Sequence, residues 1–244
     1  MTAVLHPVVL TWAMNETIRL IHEHGLIALV TAPVEDRLFD WAIAVAKGGI
    51  KLLAIPVGFP SVTELTSDLS DEAHLHVGVT GVTSVDQLSV ALAAGAHFIV
   101  SPVCNPDLIG AAKERGMTVI AGAATPTEVM QCAAVGPDLI ALFPVGPLGG
   151  PDYLAWVLWQ FPELNLLAAG GVDVESAPGY LEAGAIATIV DRGVFPADED
   201  PSATEVITVR ALALTEVCND VMGRQARRGM TEVLSQAGGI EGLE

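Results

Sequence analysis

A lysine amine on a strand end in a dry pocket can form a Schiff base with a substrate carbonyl, and this chain offers only Lys47, Lys51 and Lys113 for that chemistry. Lys47 and Lys113 fall in helical segments. Lys51 opens an apolar run that reads as a strand, which puts it at the N-terminal end, whereas parallel α/β folds do their chemistry at the C-terminal end. At about 3.3 Å per residue, a strand of about six residues separates its two ends by roughly 20 Å, beyond the reach of one side chain. The histidines are equally scattered. His74 and His76 alternate on one strand, His97 opens the next, His22 and His24 share a helix end, and His6 lies in the N-terminal arm. Such isolated imidazoles are expected to be packing or surface residues, and no metal site is expected. Candidate carboxylates at strand ends are Glu35, Asp36 and Asp191; the first two precede Arg37 at a helix start, where the helix dipole favours acids. Cys104 follows Ser101-Pro102 with no histidine close in sequence on that face, so a small packed residue is expected rather than a nucleophile.

The elements that must position these groups are short apolar strands alternating with helical segments. The pattern predicts eight strands, beginning near Leu26, Lys51, His74, His97, Thr118, Asp138, Asn165 and Ile186. Helix starts are marked at Thr83-Ser84-Val85-Asp86, at Asn105-Pro106-Asp107 and at Thr125-Pro126-Thr127-Glu128, each pairing a capping side chain with an early acid or proline. Gly49, Gly95, Gly116, Gly136 and Gly184 sit where helices should stop. Eight strand–helix units with right-handed crossovers close most economically as a (β/α)8 TIM barrel, with a doubly wound open sheet as the competing arrangement. The segment NETIRLIHEH is expected as a helix plugging the barrel bottom. The organisation expected is an arm and helix over residues 1–25, a barrel over 26–196 and an extended C-terminal helical region with a frayed tail over 197–244.

Composition narrows the setting. The 244 residues are 51% hydrophobic with a mean hydropathy of +0.52. Parallel strands covered on both faces account for this richness, and no apolar run approaches the about 18 residues of a membrane span. The formal charge of -18 repels nucleic acid and anionic lipid, so neither is an expected partner. Arg210, Arg224, Arg227 and Arg228 cluster near the end and read as a solvated helix face. Cys104, Cys132 and Cys218 show no CxxC pairing, which suits a reducing cytoplasm and excludes a disulfide framework. The N-terminus lacks the basic stretch and cleavage site of a signal peptide.

From about Gly25 to Pro196 five tokens recur in order: Ala46-Lys47-Gly48-Gly49-Ile50-Lys51-Leu52-Leu53, Ala94-Gly95-Ala96-His97-Phe98-Ile99-Val100-Ser101-Pro102, Thr125-Pro126-Thr127-Glu128-Val129, Phe143-Pro144 with Leu148-Gly149-Gly150, and Ala169-Gly170-Gly171-Val172. In these the chain resembles the family of 2-keto-3-deoxy-6-phosphogluconate aldolase and 4-hydroxy-2-oxoglutarate aldolase. The resemblance implies a TIM barrel, Schiff-base lyase chemistry on a 2-oxo acid, no cofactor, and a homotrimer. Trp156 and Trp159, on the helix after the sixth strand, could form an apolar patch, but aromatics at helical spacing are more often core.

The family's functional residues do not carry over. Its catalytic lysine corresponds to Ala141, two residues before Phe143-Pro144, and its acid/base glutamate to Ala54. Its substrate-binding arginines correspond to Thr31 and Gly58, and a third-strand threonine to Gly81. The phosphate site is mixed: Gly170 and Gly171 are kept, a threonine is Ala169, and the eighth strand ends in Asp191-Arg192, of which either could face inward. An arginine there would pair with an anion and an aspartate would repel it. Three functions are therefore weighed. The first is a barrel that has lost Schiff-base activity and acts as a small-anion-binding, regulatory or scaffold protein, with Gly170, Gly171 and Arg192 as ligand residues and an unidentified protein as a possible partner. The second is an active carbon–carbon lyase, and the third a different enzyme using Asp191, Arg192 and loop carboxylates.

Overall fold

The computed structural model describes residues 15–30, 37–195 and 203–236. Eight strands, β1 (Leu26–Leu29), β2 (Leu52–Pro56), β3 (His76–Thr80), β4 (Phe98–Ser101), β5 (Thr118–Ala123), β6 (Leu139–Leu142), β7 (Leu166–Ala169) and β8 (Ala187–Val190), pair in parallel in chain order. β8 pairs back onto β1, Ile27 facing Ile189 in register, which closes the barrel and excludes the open sheet. Each strand begins within two residues of its predicted start.

The helices are α1 (Glu16–His24), α2 (Leu38–Lys47), α3 (Val62–Glu72), α4 (Val85–Ala93), α5 (Pro106–Lys113), α6 (Pro126–Val135), α7 (Gly150–Gln160), α8 (Ala177–Glu182) and α9 (Ala203–Gln236). The predicted starts are capped by the expected side chains. Ser84 accepts from the Gln87 N–H and Asn105 from those of Asp107 and Leu108, while Thr125 and Glu128 form a reciprocal capping box. Asn15 caps α1, whose Ile21 is fully buried among the inward residues of the barrel bottom, as expected of a plug. Burying one such side chain stabilises by about 1.5–3 kcal/mol.

Two apolar layers result. One lies inside the barrel and includes Ile27, Leu52, Ala54, Phe98, Val100, Ile120, Leu139, Ala141, Leu167 and Ile189. The other lies between strands and helices and is centred on residues such as Trp41, Leu53, Val79, Ile99 and Val119. The interior is filled rather than hollow: a Cβ on Gly78 would stand 2.4 Å from the Phe98 ring, so the ring takes the space that glycine leaves.

The boundary expected after residue 196 is not a structural seam. Ile207, Ala211, Leu214, Cys218 and Val221 of α9 are buried in the same layer as Leu38 and Trp41, and α9 packs on α2 and α8. It is the eighth outer helix of the barrel. Gly48 permits the approach, since a Cβ there would meet Ala211 Cβ at 2.4 Å and the Leu212 backbone nitrogen at 2.8 Å. Two of its arginines are engaged locally: Arg224 bonds Glu182 and Asp220, and Arg210 donates to the Gly193 carbonyl at 3.1 Å. Among the described residues no helix is long and apolar enough to cross a membrane.

Candidate ligand site at the barrel mouth

The strand C-termini frame a cavity of about 210 Å³. Its walls are largely apolar, with Leu29, Val100, Ala141, Phe143, Ala169 and Ile189 contributing, and it is completed by Thr80, Gly81, Ser101, Pro102, Gly170 and Asp191. Ala141 sits on β6 opposite Gly122 and Leu167 in register, buried and facing inward. Ala54 also belongs to the interior layer, paired with Leu29 and Gly78, but does not reach the cavity wall. Gly58 lies outside the cavity lining. Thr31, Glu35 and Asp36 lie outside the described residues.

The polar side chains of the wall are already engaged in part. Ser101 is buried, its Oγ donating to the Val103 carbonyl at 2.8 Å and accepting from the Val103 N–H at 3.3 Å. Asp191, half-buried, accepts the Gly171 N–H on Oδ2 at 2.8 Å. Its other oxygen, Oδ1, is shielded from solvent and has no hydrogen-bond partner. Asp191 is the one charged side chain among the described lining residues.

This geometry corrects the expected anion site. Of Asp191 and Arg192 it is Asp191 that lines the mouth, whereas Arg192 is exposed and pairs through its backbone with Val172 and Asp173. The Gly171 amide that would cradle an anion is taken by a carboxylate of the chain itself. The two glycines also have a packing reason to be there. Gly170 has φ +80° and Gly171 φ +83°, and a Cβ on Gly170 would stand 2.7 Å from the Phe143 ring and 2.8 Å from Pro144 Cα.

The lysines lie elsewhere. Lys51 lines a cavity of about 390 Å³ at the barrel bottom with His24, His74, His76 and His97. Lys113 Nζ donates to the Gly136 carbonyl at 2.8 Å, and Lys47 ends α2. The described histidines gather at the bottom as the sequence suggested, but more closely: the His76 and His97 rings stack with centroids 3.9 Å apart, and His76 Nε2 lies 2.7 Å from Thr17 Oγ1. Burial, reinforced by the neighbouring His97, pushes the His76 ring down to about 4, so it packs there uncharged at neutral pH. No group of three or more His, Cys, Asp or Glu among the described residues could hold a metal ion. Cys104 is a free, half-buried thiol in a separate depression beside α6, and the titration of the free, buried Cys132 is raised by burial first and then by the neighbouring Cys104. The core placement favoured for Trp156 and Trp159 is overturned. They form an edge-to-face pair with centroids 5.6 Å apart and are 65% and 70% exposed, while Trp41 is the core tryptophan among the described residues.

Sequence reasoning missed the Asp191–Gly171 contact. The signal available was an aspartate directly after the last strand and a Gly-Gly after the strand beside it, since neighbouring strand ends in a barrel face one mouth.

Comparison with known proteins agrees with this architecture. The family model described as KDPG and KHG aldolase matches residues 18–209. The 2-dehydro-3-deoxy-phosphogluconate aldolase of Pseudomonas aeruginosa is 29% identical over 163 residues, 66% of this chain and 74% of that protein. The 2-dehydro-3-deoxy-6-phosphogalactonate aldolase of Escherichia coli is 27% identical over 164 residues, 65% of this chain and 78% of that protein. Among solved structures, the 2-keto-3-deoxy-6-phosphogluconate aldolase of Zymomonas mobilis ZM4 with 3-phosphoglycerate is 23% identical and shares the fold with a TM-score of 0.75, over 83% of this chain and 96% of that one.

Proposed function

Because the chain belongs to the KDPG and KHG aldolase family, we propose that its barrel mouth is a small-molecule pocket that has lost Schiff-base aldolase activity and acts by binding, in a regulatory or scaffold role. The observation that carries this reading is the mouth itself: Ala141 lines a cavity in which no described residue supplies an amine. A methyl group has no lone pair to attack a carbonyl. The chain's lysine side chains are at the barrel bottom or on outer helices, and none of the residues outside the described segments is a lysine.

The relatives favour the other reading, a carbon–carbon lyase on a 2-oxo acid. The two curated relatives described above are named aldolases, and family membership is the observation in its favour. That reading needs an amine at the mouth. The inward alanines at 54 and 141 weigh against it, as does a lining whose one described ionisable side chain, Asp191, is bonded to Gly171.

Incubation of the full chain with 2-keto-3-deoxy-6-phosphogluconate, with pyruvate release followed over time, distinguishes the two. Release no faster than in the protein-free control is expected. Turnover of about one per second or more, within the ordinary enzyme range, would establish the lyase instead.

A further inference from the structure

We propose that the barrel mouth takes a small uncharged hydrocarbon of ring size and rejects anions and cations of the same shape. The inference deepens the reading of the mouth as a binding pocket without imine chemistry and rests on it. The first observation is the wall. Leu29, Val100, Ala141, Ala169 and Ile189, from five different strands, and Phe143 in the turn after β6 line it with hydrocarbon. The second is that polar groups of the wall are spent within the protein. Ser101 Oγ donates to the Val103 carbonyl and accepts the Val103 N–H. Asp191 turns Oδ2 to the Gly171 N–H, and its Oδ1 is shielded from solvent. Thr80 adds a neutral hydroxyl, and no described lining residue is basic. The third is the composition of the rest of the chain. Residues 1–14, 31–36, 196–202 and 237–244 contain no lysine or arginine, so no strong cation is held in reserve there for an anion.

An ion entering such a cavity gives up its water and receives no opposite charge in return, which is among the costliest transfers in protein chemistry. A hydrocarbon meets the reverse: it gains in proportion to the apolar area that leaves water. Size narrows the class. An apolar cavity of about 150 Å³ accommodates benzene, so one of about 210 Å³ suits a six-membered ring with one or two added carbons. Phe143 gives that ring a surface to pack on. Its own ring lies across Gly170, where a Cβ would stand 2.7 Å away, and it forms the aromatic part of the cavity wall.

Toluene, benzoate and benzylamine are close in shape and differ in charge, and calorimetry on the full chain at pH 7 compares them. Toluene is expected to bind with a Kd of about 1 mM or below, at least about tenfold more tightly than either ion. Two variants locate the site. Ala141→Leu fills the cavity from β6 and should weaken toluene at least about tenfold. Ala169→Val fills it from β7 and serves if the first variant folds poorly, with thermal unfolding reporting the state of each. The exposed Trp156 and Trp159 are the competing apolar surface, so Trp156→Ala should leave toluene binding unchanged. Benzoate or benzylamine binding as tightly as toluene overturns the inference. So does an absence of toluene binding, toluene binding unchanged in both cavity-filling variants, or its loss in Trp156→Ala. The function beneath it fails by a different result: pyruvate release from the sugar acid would remove the loss of aldolase activity, whereas no release and no toluene binding would remove only the ligand class.

Discussion

Replacing Ala141 by lysine is expected to give a protein that forms an imine slowly and remains a poor aldolase. The substitution places an amine at an inward-facing position on the cavity wall. Apolar walls would lower the amine pKa and favour its nucleophilic form, whereas the Asp191 carboxylate on the same wall would raise it. The step after attack is worse served. Carbinolamine dehydration and carbon–carbon cleavage need a proton carrier, and Ala54, which the resemblance puts in that place, is packed in the interior layer and has no proton to carry. General acid–base assistance is typically worth about 100- to 10,000-fold, so the variant should turn over at least about two orders of magnitude below an intact site. Steady-state cleavage of 2-keto-3-deoxy-6-phosphogluconate measures this. A rate near the enzyme median of about 10 per second would show that the rest of the machinery is present.

Gly170→Ala is expected to destabilise the fold severely, while Gly58→Ala is nearly silent. At Gly170 the backbone is left-handed, and the new methyl would stand 2.7 Å from the Phe143 ring and 2.8 Å from Pro144 Cα. The ring can shift but the Pro144 backbone cannot do so cheaply. A left-handed alanine and an overpacked core position together cost about 2–4 kcal/mol. At Gly58 nothing lies within 4 Å of the added carbon and the backbone is not left-handed, so a change within about 0.5 kcal/mol is expected. Urea denaturation of the two variants beside the unmodified chain reads the difference. Equal stabilities would mean that packing does not require Gly170, and a ligand role for the Gly170-Gly171 loop would regain its main support.

These results bear on how much could be read from the residues alone. The strands were legible because parallel strands buried on both faces form continuous apolar runs punctuated by glycine. The expected helix stops all carry positive φ: Gly49 +95°, Gly95 +67°, Gly116 +72°, Gly136 +82° and Gly184 +108°. The same burial erased the alternation that tells inside from outside. That is why the orientation of Asp191 against Arg192 was open until the Gly171 N–H and the cavity wall fixed it. The acidic stretch from Pro196 to Pro201 suggested a domain edge. Only the burial of Ile207, Ala211 and Leu214 against α2 and its neighbours reveals α9 as part of the barrel. The exposure of Trp156 and Trp159 was illegible for a related reason, since helical spacing fixes a shared face without saying which way it turns. Ala54 and Ala141, the positions that the resemblance singled out, both face the barrel interior.

The central claim is that the mouth holds no amine able to join a carbonyl. Incubating the full chain with pyruvate and borohydride, which reduces any imine to a stable adduct, followed by intact-mass measurement and peptide mapping, tests it most directly. The account predicts an unchanged mass, because Ala141 cannot form an imine, Lys51 faces the barrel bottom, and Lys47 and Lys113 lie on outer helices. A stoichiometric adduct mapped to Lys47, Lys51 or Lys113 would contradict it and restore the lyase reading.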